Sequence, residues 1–372
     1  MPAPELLPFF TDLCAIPSPP GQERAVADRV LAYLRGLGLE WDEDDAAAEL
    51  GGTAGNLYSR LPATAKGSPI FLCAHLDTVP PEGPIEPVVE DGVVRNAAGT
   101  ILGADDKAAV VVMLEATRRI VEGGRPHAGI ELLFTPKEEV GLLGAAAFDH
   151  TCLRARIGYV YDQASPIGEV ILGAPHQRSF LVSFRGRAAH AGMYPEEGRS
   201  AIAAAARAIA DLRLGRLDDE TSASVGVIHG GTARNIVPER CFFEAEARSH
   251  DERKLADLVE EMLEAFTFAA TLADCAVEAE VRETYRGYRF RTDEPAVRLA
   301  LAGIARAGIE PRTGFTGGAA DANIFNERGL ACVNLSNGMA QIHTPDEHIA
   351  VDDLERMVDV TLGLVDAARD AA

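Results

Sequence analysis

The sequence predicts an α/β protein with a central mixed, largely parallel sheet flanked by helices, into which an α+β block of ferredoxin-like βαββαβ order is inserted. Three patterns predict this. Helical and strand periodicities alternate up to about residue 176, the order changes over 177–287, and the alternation resumes from 288 onward. The expected domains are therefore 1–176 with 288–372, and 177–287.

In the first stretch, Gln22–Leu37 carries apolar residues at helical spacing, and Ile70–Leu76 is an apolar run of strand length. A helix over Asp106–Val121 follows, then strands over Gly129–Phe134 and Ile157–Tyr161. The inserted block reads as strand Phe180–Arg185, helix Ser200–Leu214, strands Ser224–His229 and Cys241–Arg248, helix Glu252–Leu272 and strand Ala276–Thr284. The last stretch gives helix Glu294–Ala307, strand Ala331–Leu335 and helix Asp353–Ala368, which return the chain to the first sheet.

A length of 372 residues leaves room for two cores without disulfides. The six cysteines, Cys14, Cys73, Cys152, Cys241, Cys275 and Cys332, form no CxxC pair and read as buried free thiols. A formal charge of -22 repels phosphate backbones and anionic lipid, so neither nucleic acid nor a membrane is expected as partner. No apolar run approaches the roughly 18 residues of a membrane span. Met1–Phe10 has no basic residue ahead of its apolar stretch, so it does not read as a secretory signal, and a cytoplasmic location is expected.

The chemistry lies in five separated segments. FLCAHLD ends a strand with His75 and Asp77, which share one side because strand residues two apart do. That spacing suits a His ligand whose second ring nitrogen is held by a carboxylate. GADDKAA places Asp105 at a glycine-led turn into a helix, TPKEEVG places Glu138 and Glu139 just past a strand, and YVYDQ places Asp162 at the end of another. QIHTPDEH adds His343 beyond the last strand. In open α/β sheets the loops at the carboxyl ends of the strands form one crevice, so these residues can converge. Asp106 and Lys107 are read as a helix-cap residue and a surface charge.

Two imidazoles with carboxylates and no thiolate fit zinc, with manganese or cobalt possible. The carboxylates of Asp105, Glu139 and Asp162 plus one hydroxide balance two divalent ions rather than one. Asp105 is expected to bridge a His75–Asp162 site and a Glu139–His343 site, leaving Glu138 free as a base.

The segments HLDTVPP, GADDKAA, PKEEVGLLGA, YDQ and IHTPDE resemble, in order and spacing, the dinuclear zinc hydrolases that include peptidase T, glutamate carboxypeptidase, succinyl-diaminopimelate desuccinylase and aminoacylase. The resemblance implies a zinc-peptidase-like catalytic domain with an inserted lid and dimerisation domain. It implies two Zn2+ per subunit held by His75, Asp105, Glu139, Asp162 and His343, with Asp77 orienting His75 and Glu138 as general base. RGRAAHAGMYPEEGRSAI is similar to the segment whose histidine, here His190, reaches into the partner subunit's active site, which implies a homodimer. GTARNIVPE, EARSHD and GFTGGAADANIF are similar to segments that contact substrate, here through Asn235, Arg248, Gly317 and Gly318.

The aspartate at Asp162 resembles the peptidase T-like members, where many carboxypeptidase and deacylase relatives carry glutamate. The expected activity is cleavage of amide bonds in short peptides, aminopeptidase- or tripeptidase-like, by a hydroxide that two zinc ions activate. An N-acyl amino acid deacylase or a carboxypeptidase is the alternative within the family, and a non-catalytic binding protein the alternative outside it. A nucleotide-dependent enzyme is disfavoured, because GTILGADDK lacks the GK[ST] of a phosphate loop and the GxGxxG of a dinucleotide fold.

Overall fold

The computed structural model describes residues 5–371. The chain forms two compact units, Met1–Gly173 with Arg289–Ala372, and Ala174–Tyr288.

The first unit is built on a mixed nine-stranded sheet. Its central neighbours run Leu57–Leu61, Ile130–Thr135, Ile70–His75, Ile157–Gln163, Ala331–Ser336 and Glu169–Ala174. Four of these, Ile130–Thr135, Ile70–His75, Ile157–Gln163 and Ala331–Ser336, lie parallel side by side. Every position of Ile70–His75 and Ile130–Thr135 is buried. Ile70–Ala74 therefore reads as an apolar run rather than an alternating one, since both faces of a parallel sheet are covered, and Ile130–Phe134 does so apart from Glu131, which is buried and paired with Arg60.

Helices Leu6–Cys14, Arg24–Gly36, Ala104–Glu122, Pro295–Arg306 and Val351–Asp370 contribute the residues that pack this core. Packing leaves no slack at Gly158, where a Cβ atom would lie 2.0 Å from the Phe71 ring. That ring is itself held edge-on against Phe325 at 5.0 Å.

The second unit is a five-stranded antiparallel sheet ordered Gly215–Arg216, Thr221–Gly230, Arg240–Ser249, His176–Arg185, Ala276–Tyr285. Helices Ala201–Asp211 and Glu252–Leu272 share one core with Phe180, Val182, Phe184 and Phe243. The intervening residues Leu181 and Phe242 point the other way and are exposed, which gives the period-two pattern that marks a sheet with one open face. Each helix starts on a side-chain cap: Ser200 accepts from Ala203 N, and Asp251 from Arg253 N and Lys254 N.

Several elements went unread in the sequence. They include helices Leu6–Cys14 and Asp321–Glu327, strands Leu57–Leu61, Glu169–Ala174 and Arg312–Phe315, and a small sheet of Pro87–Glu90, Val93–Asn96 and His348–Ala350. The segment Met1–Phe10 forms helix from Leu6 on, and its first four residues lie outside the described ones. All six cysteines are free; Cys14, Cys73, Cys241 and Cys332 are buried, but Cys152 is exposed and Cys275 half-buried, so the reading of all six as buried thiols fails at these two. No helix of the described residues is long and apolar enough to cross a membrane.

Candidate metal centre

Because the four central strands are parallel, their carboxyl ends share one edge of the sheet, and five segments distant in sequence meet there. His75 is the last residue of its strand, Asp162 lies at the end of Ile157–Gln163, and Glu138 and Glu139 follow Ile130–Thr135. His343 comes from the loop after Ala331–Ser336, and Asp105 from the start of helix Ala104–Glu122, where Asp105 and Asp106 keep non-helical backbone angles.

Asp105 is the centre of the cluster. Its Oδ1 lies 3.3 Å from His75 Nε2 and its Oδ2 3.2 Å from His343 Nε2. The same His343 nitrogen is 3.1 Å from Glu139 Oε1. Two groups could hold a cation: His75, Asp105 and Glu139, and His75, Glu138 and Asp162, with the ligand atoms of each group within 4.8 Å of one another. All five residues expected as ligands are thus brought together, and Glu138 stands among them.

The electrostatics are those of a cluster short of positive charge. Burial pushes the carboxyl groups of Glu138, Asp162 and Asp106 well above the usual range, and Asp162 and Asp105 reinforce this for Glu138 and Asp162 respectively. Hydrogen bonding to Asp105 and then to Glu139 lifts His343 to about 10. For His75, burial opposes the charged form, but the carboxylates of Asp105 and Asp77 outweigh it and raise its pKa. Burial likewise opposes ionisation of Asp105, and His343 and His75 reverse it, holding this carboxyl low.

A shell of polar groups fixes the loops. Asp77 accepts from the backbone N–H groups of Glu138 (3.0 Å) and Glu139 (3.1 Å). Its Oδ1 is 3.6 Å from His75 Nδ1, whose hydrogen-bond partner at 2.8 Å is instead the Asp77 carbonyl. Asn334 accepts from Asp162 N and donates to Asp162 O, and Glu347 accepts from Leu102, Gly103 and Asp105 N–H groups. Asp321 is buried behind the site, accepts from Thr135 Oγ1 at 2.5 Å, and is pushed up to about 6 by burial.

Two expectations are corrected here. Lys107 is no surface charge: it is fully buried and donates to Ile16 O at 2.6 Å. Asp106 does not cap the helix, whose N-cap is Gly103; its side chain is buried and accepts from Asn337 Nδ2. Sequence reading also passed over Glu347, Asp321 and Asn334. The signal for the first two was present, since Glu347 lies four residues past His343 within IHTPDEH and Asp321 within GGAADANIF.

Gly317 and Gly318 lie in the loop between strand Arg312–Phe315 and helix Asp321–Glu327, where Gly318 N donates to Thr316 Oγ1. The other three predicted residues belong to the second unit. His190 is exposed, and its Nδ1 accepts from Gly192 and Met193 N–H groups, so the ring proton sits on Nε2. Asn235 is its neighbour through the Ala191 N to Asn235 O hydrogen bond of 2.9 Å. The Arg248 guanidinium is paired in bidentate fashion with Glu246 at 3.0 Å.

Known proteins align with the chain over the same elements. The model of peptidase family M20/M25/M40 matches residues 71–367. An uncharacterized Bacillus subtilis protein, YqjE, is 36% identical over 98% of each chain. The crystal structure of aminopeptidase PepT from Bacillus cereus superposes with a TM-score of 0.87 at 37% identity, covering 98% of each chain. A tripeptidase from Staphylococcus aureus reaches 0.92 at 35%, again over 98% of each. With the family match spanning most of the chain and these relatives aligning along its length, the protein belongs to peptidase family M20/M25/M40 and is a metallopeptidase.

Proposed function

We propose that this protein is a two-zinc aminopeptidase that acts on short peptides, of the tripeptidase kind. The observation that carries the proposal is the position of Asp105, with one carboxylate oxygen toward each imidazole. A single ion has no use for that arrangement, whereas a bridging carboxylate does. The residues fit such a pair: His75, Asp162 and Asp105 would hold one ion, and Glu139, His343 and Asp105 the other. The buried Asp105 Oδ1, which faces His75 Nε2 at 3.3 Å without the geometry of a good hydrogen bond, supports this, as do buried acids that ionise only with cationic compensation. Manganese or cobalt could replace zinc, since the ligands are imidazole and carboxylate. When bound, such ions lower the pKa of water and polarise a carbonyl.

The chain's own residues do the rest. Glu138 takes a proton from the attacking water and returns it to the leaving amine, and its burial raises the proton affinity that this shuttle needs near neutral pH. Asp77 keeps Glu138 and Glu139 in place through their backbone N–H groups. His190, protonated on Nε2, is suited to donate to a developing oxyanion. We assign substrate contacts to Asn235, Arg248, Gly317 and Gly318. We also assign to the inserted domain the role of lid and homodimer interface, through which His190 serves the partner's site. The six free cysteines accord with a reducing compartment, and a cytoplasmic location is proposed with them.

The test is a substrate panel for the zinc-loaded protein: tripeptides, the same peptides with an acetylated N-terminus, and N-acyl amino acids. Release of the N-terminal residue from free tripeptides alone is expected. Preferential cleavage of the acylated compounds would replace the peptidase assignment with a deacylase.

A further inference from the structure

Asp105 and His343 come from loops more than two hundred residues apart in sequence, and a buried side chain ties those loops. Glu347 lies on the loop that carries His343. That loop is closed at its base by reciprocal 3.0 Å hydrogen bonds between Ala340 and His348, and it is braced inside by Thr344 Oγ1 donating to Gln341 O at 2.7 Å. From it, Glu347 reaches the turn that carries Asp105. Its Oε2 accepts from Leu102 N and Gly103 N, each at 2.7 Å, and its Oε1 from Asp105 N at 3.0 Å.

The turn is shaped to receive it. Gly103 sits at φ +74, in the left-handed region that favours glycine, and this conformation directs successive N–H groups to one point, as in an anion-binding nest. Glu347 is 2% exposed, so its charge is satisfied by these N–H groups rather than by water. The Asp105 backbone is therefore fixed relative to the His343 loop, while the His343 side chain, 47% exposed, has little packing of its own to hold it.

We propose that Glu347 is a positioning residue that sets the distance between Asp105 and His343 and so controls the uptake of the paired ions. The proposal rests on the two-metal reading above and concerns the ion that His343 holds.

The experiment compares wild type, E347Q and E347D, all stripped with chelator, by titration with Co2+. It reads the visible absorption of bound cobalt, the affinity by chelator competition, and the thermal midpoint of the metal-free protein. Glutamine keeps the shape but turns an NH2 group toward the nest, so one N–H loses its acceptor. The wild type is expected to take two Co2+. E347Q should bind at least one of them about ten- to a hundredfold more weakly, with an altered absorption band. E347D, which keeps the charge but is shorter by one methylene, should fall between. A residue that merely stabilises the fold would lower the thermal midpoint and leave cobalt affinity and absorption unchanged; that result overturns the proposal. Failure of both variants to fold also counts against a role confined to positioning. If the wild type itself takes up no Co2+, the two-metal reading falls, and this inference with it.

Discussion

The two units use β-sheet in opposite ways. In the first, parallel strands are buried on both faces, and chemistry is confined to the one edge where their carboxyl ends emerge. In the second, an antiparallel sheet covers one face with two helices and leaves the other open, so that neighbours such as Phe242 and Phe243 have opposite fates. The first arrangement concentrates charge in a place that water barely reaches. The second spreads polar groups over accessible surface, and among its predicted functional residues His190 is exposed and Arg248 already paired with Glu246. A buried polar cluster has to be matched group by group, whereas an exposed one does not, so substitutions should be far more costly in the first unit's site than on the second unit's open face.

The largest effect is expected at Glu138. E138Q should lose about 10²–10⁴-fold in kcat, the usual contribution of a positioned proton carrier, while retaining both metal ions in elemental analysis. Loss of metal together with activity would make Glu138 a ligand, as its place in the His75–Asp162 group allows.

Stability should follow the sheet faces. In the second unit, Phe243→Ala should cost about 3–5 kcal/mol in denaturant unfolding, because Phe243 is fully buried and packs on Phe184 and Phe266. Phe242→Ala, one residue away and 46% exposed, should cost about 1 kcal/mol or less. Equal costs would mean that the open face is covered in solution. In the first unit, Gly158→Ala should cost about 1–3 kcal/mol, since the added methyl group meets the Phe71 ring.

A smaller effect is expected from Glu115, buried on helix Ala104–Glu122. Burial alone would raise its pKa, but hydrogen bonds from Arg118 and Arg119 outweigh this and hold it below its ordinary 4.5. A depressed folded-state pKa contributes stability that is present above the unfolded value and is lost as pH falls through the folded one. The thermal midpoint should therefore drop below about pH 4.5, and Glu115→Gln should cost about 1–2 kcal/mol at neutral pH and progressively less in acid. A cost that does not change with pH would show that the side chain acts through packing alone.

Much of this was legible in the sequence, for physical reasons that differ by element. Ile70–His75 and Ile130–Thr135 showed themselves because strands buried on both faces are apolar at most positions rather than at every second one. Helix Glu252–Leu272 kept the predicted bounds because Asp251 caps it and its apolar stripe is regular. The small sheet with Pro87–Glu90 was missed because its strands are only three or four residues long; strand Glu169–Ala174 is as long as Ile70–His75, but its partners Arg312–Phe315 and Ala331–Ser336 lie far away in sequence. In the site, the residues that converge at the strand ends were readable from residue chemistry. The supporting shell was not: a buried Lys107 or Glu347 looks like any surface charge until its backbone partners are known.

The central claim is that two ions lie on either side of Asp105. Zinc-edge anomalous diffraction from crystals grown with zinc tests it most directly. Two peaks are expected, one within ligand distance of His75 and Asp162, the other of Glu139 and His343, with Asp105 touching both. A single peak, or a pair that Asp105 does not bridge, would contradict it.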